Sequence, residues 1–213
     1  MYPITNLEGI EKQEQKIEND HVIILLFAKP QDKNADEIIG SFNYFHKLSK
    51  DYCSIYPIGY SYGFNGMYSD VKEVLGVDNK RWQYSDECFI SVCNQIQKRL
   101  KNWRYSCEPE LIILKNSTDE KSKSRLNFRG YNYIDINRGI NEGYLRSYSN
   151  FMENIIKACE YETDNLKAME RVRKNNISCR NIIERALKED NTLQKSVKKI
   201  LKDINFFRSY KAA

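Results

Sequence analysis

The side chains able to do chemistry in this chain are few and widely spaced. There are two histidines, His21 and His46, and six cysteines, Cys53, Cys88, Cys93, Cys107, Cys159 and Cys179. The cysteines form no CxxC pair and neither histidine stands near one at ligand spacing, so a zinc site is not expected. A disulfide framework belongs to small secreted domains, and these thiols read instead as ordinary buried or half-buried side chains. His46, beside Tyr44 and Phe45 in a helical pattern, reads as a packed, hydrogen-bonded imidazole. GxSxG, phosphate-loop and HExxH patterns are absent from the sequence. The run GYSYGFNG (59–66) has neither the Lys-Ser/Thr of a phosphate loop nor the helix start of a dinucleotide site. No catalytic residue, metal or cofactor is therefore assigned.

What the chain does offer is polar side chains where strands should end. In an open α/β sheet, ligands gather at the carboxyl ends of the strands. That rule makes Lys29, Tyr60, Ser61, Lys115 and Asn116 candidates for one binding site, with the 61–84 stretch in reach. Asp135 and Arg138 flank the last strand and either pair with each other or hold an anionic ligand, which adds Arg138 to the set.

The elements that must position these residues begin at His21. Val22–Ala28 is continuously apolar, as suits a strand covered on both faces. Ile38, Phe42, Phe45 and Leu48 then recur at helical spacing, and CSIYPIG follows as a second strand, giving a βαβ unit. The 61–84 stretch is either a binding loop or a packed excursion with a helical turn at 70–75. Ser85 is an N-cap with Asp86 and Glu87 in the first turn, ahead of a stripe at Phe89, Cys93, Ile96, Leu100 and Trp103. ELIILK and YNYIDIN read as further strands, with Tyr131, Tyr133 and Asp135 on one side. A third helix carrying Tyr144, Tyr148, Phe151, Met152, Ile155 and Cys159 starts after Asn141.

From Leu166 onward the chain holds 13 Lys/Arg against 5 Asp/Glu, although the whole carries only +5. This asymmetry predicts an appendage with its own surface role. Helices are expected over Ile182–Leu187 and, after a capping box at Asn191–Gln194, through Leu193 to Phe207. Lys195, Lys198, Lys199, Lys202 and Arg208 either contact nucleic-acid phosphates, flank an apolar stripe that docks on a protein, or form a solvated face.

The order strand, helix, strand, helix, strand, strand, helix over Val22–Tyr161 resembles that of the thioredoxin-like superfamily. Pro109, directly before the strand ELIILK, matches the proline, usually cis, that the family places there. A redox-active member carries CxxC after the first strand, where this chain has AKPQDKNAD. The resemblance thus implies a fold and a binding surface, not thiol–disulfide chemistry. The competing architecture is a Rossmann-like open sheet with all principal strands parallel.

The reading is of three parts: a polar leader (1–20), either frayed or a short amphipathic helix; an α/β domain (21–163); and a basic helical appendage (164–213). No apolar run approaches the ~18 residues of a membrane span, and no signal region precedes His21, so a cytosolic site is expected. Richness in Lys, Asn, Ile and Tyr suits an AT-rich bacterial genome. The expected role is a non-catalytic binding or assembly subunit of a multi-component system such as phage defence. It would meet a protein partner or a second copy through the C-terminal helices. The alternatives are an enzyme or sensor for a phosphate-bearing small ligand, and nucleic-acid binding through the tail.

Overall fold

A computed structural model describes residues 1–75, 80–116, 125–142, 145–175 and 207–210. The apolar run forms β1 (Val22–Phe27), buried along its whole length. Its parallel neighbour is β2 (Cys53–Pro57), in register from Val22 opposite Cys53 to Leu26 opposite Pro57. On the other side β6 (Glu110–Asn116) runs antiparallel, with Phe27 opposite Glu110 and Val22 opposite Lys115. Next come β7 (Leu126–Asp135) and β8 (Phe207–Tyr210), both antiparallel to their neighbours, in the order β2-β1-β6-β7-β8. The chain is therefore a mixed α/β protein, and the all-parallel alternative is excluded by the β1–β6 pairing. The described residues contain no cis peptide bond, so Pro109 follows a trans one.

The crossover helix is split into α2 (Ala35–Gly40) and α3 (Phe42–Ser49), because Gly40 and Ser41 interrupt the run and Ser41 turns its hydroxyl back onto Glu37 O. One sheet face carries α4 (Asp86–Arg99), whose Ser85 cap accepts from Cys88 N at 3.0 Å. Phe89, Cys93 and Ile96 are buried beneath it, and Leu100 and Trp103 continue the buried line beyond its last turn. The other face carries α6 (Tyr148–Cys159), which starts at the Ser147 cap instead of at Asn141, and α7 (Asn165–Asn175). Between β7 and α6 lies α5 (Ile136–Asn141), capped by Asp135.

Tyr148 is fully buried, and its hydroxyl has no hydrogen-bond partner among the described residues. A donor taken out of water without compensation is a cost the fold carries. Tyr148→Phe is expected to leave stability unchanged or to raise it by up to ~1 kcal/mol in urea unfolding; a clear loss would mean the hydroxyl is satisfied after all.

The 61–84 stretch is a packed excursion with Phe64 and Trp82 buried, but it has no helical turn at 70–75. Three short strands, β3 (Tyr60–Ser61), β4 (Lys72–Leu75) and β5 (Arg81–Tyr84), form a second sheet in the order β3-β5-β4. The entry turn depends on Gly59, at φ +85°, where a Cβ would stand 2.9 Å from the Tyr84 ring and 3.0 Å from Phe89 Cβ.

The described residues of both flanks pack on the sheet, and the short amphipathic helix that was one expectation for residues 1–20 is present. Residues 1–20 supply α1 (Leu7–Glu14), with Met1, Ile4, Leu7 and Ile10 buried. Tyr2 N donates to Ile55 O at 2.9 Å, so this segment covers the open edge of β2. At the other end, the boundary at 163/164 falls just before α7, whose Ala168, Met169 and Val172 are buried. Asn165 Nδ2 donates to Ile113 O at 3.1 Å and to Asn132 Oδ1 at 3.2 Å, beside the register shift between Ile113 and Lys115. Phe207, expected in a helix, opens β8. The expected helix at 182–187 and the remainder of the one at 193–207 lie outside the described residues.

Candidate functional site

Because β6 runs against β1, the candidates do not gather at one place. Lys29 follows the carboxyl end of β1, whereas Lys115 sits opposite Val22, about seven residues away along the strand and hence roughly 20 Å distant. Two polar clusters result, one at each end of the sheet.

At the Lys115 end, Lys115 Nζ meets Asp20 at 3.1 Å and Asn116 is fully buried. Asn116 Nδ2 donates to Glu14 Oε2 at 2.9 Å, and Tyr56 OH donates to Glu14 Oε1 at 2.5 Å. His21 Nε2 lies 2.8 Å from Glu14 Oε2 and 3.0 Å from Ser54 Oγ, while its Nδ1 faces Asn19 O at 3.0 Å. Burial works against the charge on His21, but both ring nitrogens face acceptors, and its pKa is raised above 6.5. Serine, histidine and acid are thus adjacent, yet the serine and the acid share one ring nitrogen and both are buried, at 2% and 0% exposure. A nucleophile–base–acid relay needs them on opposite nitrogens with an accessible hydroxyl. This cluster ties α1, β1, β2 and β6 together; it is a structural knot.

The opposite end is more open. Lys29 Nζ meets Asp86 Oδ1 at 3.1 Å and lies 5.0 Å over the Phe89 ring. Burial raises the Asp86 pKa, but the Tyr84 hydroxyl at 2.9 Å and Lys29 outweigh it and hold the group below the usual carboxylate range. Tyr105 OH donates to Asp32 at 2.9 Å, and Asn34 reaches Asn137, which in turn reaches Glu108. Tyr60 points inward, donating to Ala28 O at 2.8 Å, and Ser61 is buried, bonded to Gly63 O. Neither presents its hydroxyl to solvent.

Beside this network is Glu110, fully buried and surrounded by donors: Trp103 Nε1 at 2.9 Å, Ser106 Oγ at 2.6 Å and Tyr133 OH at 3.1 Å. Burial pushes its pKa up to about 7, against the pull of those hydrogen bonds. A pocket of about 220 Å³ is lined by Tyr133 together with Asn102, Trp103 and Arg104 after α4, Asp135 and Arg138 around the start of α5, and Tyr210 of β8. Burial raises the Asp135 pKa, opposed by the Arg138 backbone N–H that it caps at 2.9 Å. Of the expected candidates, Arg138 lines this pocket, together with the Asp135 named beside it. Arg104 and Tyr133 were missed because no local pattern marks them.

Arg208 pairs through its backbone with Tyr133; Lys195, Lys198, Lys199 and Lys202 lie outside the described residues. Among the described residues no group of three His, Cys, Asp or Glu is arranged to hold a metal, and no helix is long and apolar enough to cross a membrane. The fold and pocket together define an α/β protein with a polar, arginine-lined recess at one sheet end. No family model matches the chain, and no curated protein or solved structure is significantly similar to it.

Proposed function

We propose that the chain is a non-catalytic binding subunit on a thioredoxin-like fold, taking up an extended polypeptide segment along the edge of β7. The fold reading is supported by the order β2-β1-β6-β7, with the first pair parallel and the rest antiparallel. In the loop after β1, side chains are engaged with other parts of the domain, Lys29 with Asp86 of α4 and Asp32 with Tyr105. Burial raises the Cys88 pKa to about 11 and pushes the Cys93 thiol up as well, which leaves both poor nucleophiles. Both features favour a recognition surface over thiol chemistry.

The observation that carries the binding reading is β8. Residues 207–210 return to the sheet after the 176–206 segment and pair with Tyr131–Ile134, stacking Tyr210 on Tyr131 at 4.5 Å and 12°. An edge that receives a distant segment in this way uses strand addition, a general mode of peptide recognition. Among the described residues four pairs hold it, and as part of the same chain it has an advantage in effective concentration over a free strand. A partner's strand, or that of a second copy, competes with β8 for this edge.

The test uses the full chain and a variant carrying Arg208→Pro and Ser209→Pro. Strand N–H groups alternate between edges, so one of these two prolines must remove a donor facing β7. A labelled peptide of residues 204–213 is expected to bind the variant about tenfold or more tighter than the unaltered chain, measured by fluorescence anisotropy. If it binds neither, or binds both equally, the strand-acceptor reading is wrong.

A further inference from the structure

We propose that the recess beneath Arg104 and Arg138 binds an oxyanion, a phosphate or carboxylate group carried on a small molecule. This inference does not need strand exchange: it requires only that β8 be in place, since Tyr210 forms one wall. Two guanidinium groups from separate elements line a single pocket. Arg138 is held by α5 and spends its Nε on Glu142 at 2.7 Å. Arg104 follows α4 and spends one Nη on Trp103 O at 2.8 Å. The other guanidinium nitrogens of both have no partner among the described residues. Each side chain is thus anchored by one nitrogen and presents the rest of its planar fork, the arrangement that matches two oxygens of an anion.

The pocket also limits what else can enter. Asp135 lies on the same wall with one oxygen capping α5, so it accepts from a hydroxyl or amine of the ligand and disfavours a second anionic group. Tyr133 commits its proton to Glu110 and offers the ring, as the Tyr210 wall does, to an apolar or flat portion of the ligand. The ligand class is therefore a small molecule with one oxyanion, a neighbouring hydrogen-bond donor and an unsaturated or apolar body. Asn102, also on the lining, offers a further amide donor.

Isothermal titration of the full chain decides the matter, with inorganic phosphate and with lactate as the probes for the two oxyanion sources. Saturable binding of at least one is expected, and which one binds assigns the source. Arg138→Ala and Arg104→Ala should each weaken it about tenfold or more, since each removes hydrogen bonds to a charged group. Arg138→Lys should recover less than half of that loss in log affinity, because an ammonium lacks the fork. Arg81→Ala, on the small sheet, should change nothing. Asn102→Asp, which adds a like charge on the lining without touching either arginine, should also weaken binding and so guards against misfolding of the arginine variants. No saturable heat with either probe, or binding that survives both arginine substitutions in chains with unaltered near-ultraviolet circular dichroism, overturns the proposal.

Discussion

Phe89→Ala is expected to lower the free energy of unfolding by about 3–5 kcal/mol, among the largest effects any single truncation in this chain should give. Phe89 is 1% exposed and stands where α4 meets the sheet. Its ring lies 6.2 Å edge-on from Phe27, 4.9 Å from Tyr105 and 6.3 Å from Tyr84. Those three rings are held by three different elements, so they cannot converge to fill the space left by a methyl group. The Lys29 ammonium, its side chain 21% exposed, would also lose the ring beneath it, a contact worth about 0.5–2 kcal/mol. Urea unfolding followed by tyrosine and tryptophan emission checks this. A loss below about 1 kcal/mol would mean that the aromatic cluster collapses freely on truncation.

The second large effect is a pH dependence centred on Glu110. Its pKa in the folded protein, about 7, lies above the ordinary 4.5 because burial disfavours the carboxylate more than its hydrogen bonds favour it. The native state therefore holds this proton more tightly than the unfolded chain does. Stability contributed by the group is complete below about pH 4.5 and is lost as pH rises through 7, by roughly 3 kcal/mol. Glu110→Gln keeps an acceptor for Trp103 and places an amide against Ser106 and Tyr133, whose hydroxyls can turn to accept. The difference in unfolding free energy between variant and unaltered chain should shift by that amount between about pH 5 and pH 8. His21 contributes in the same sense, its stabilisation being present below 6.5 and lost above its own raised pKa, but it is common to both proteins and cancels in the difference. Parallel curves would show that water reaches Glu110.

The parts of the fold that could be read directly are those in which local pattern and tertiary outcome agree. The apolar run at Val22 left no choice but a buried strand, and Ser85 followed by two acids and a 4-3-4-3 stripe specified α4. The direction of a strand is another matter. ELIILK has the same composition read either way, so nothing in it says that β6 runs against β1. The expected gathering of Lys29 with Lys115 fails for that reason alone. Glu14 was unreadable as a buried residue, because its burial depends on Tyr56 and Asn116, 42 and 102 residues away. The recess is composed the same way: Arg104, Tyr133, Arg138 and Tyr210 belong to four separate stretches, and only Arg138 stood at a recognisable strand end. The helical turn expected at 70–75 in one of the two readings gives way to the strand Lys72–Leu75, because four residues are too few for either period to declare itself.

The antiparallel pairing of β1 with β6 has a consequence for how the chain reaches its fold. Val22 and Lys115 are 93 residues apart, and among the described residues β6 is the strand that pairs with β1 on that side. The centre of the sheet therefore forms only after a long loop closes, which places the chain among proteins of high contact order that fold in milliseconds to seconds. In that interval VIILLF is a six-residue, uncharged, β-branched segment with an open hydrogen-bonding edge, the signature of a sequence that nucleates intermolecular strands. Refolding yield should accordingly fall steeply with protein concentration, and the losses should trace to the edge of β1 that awaits β6.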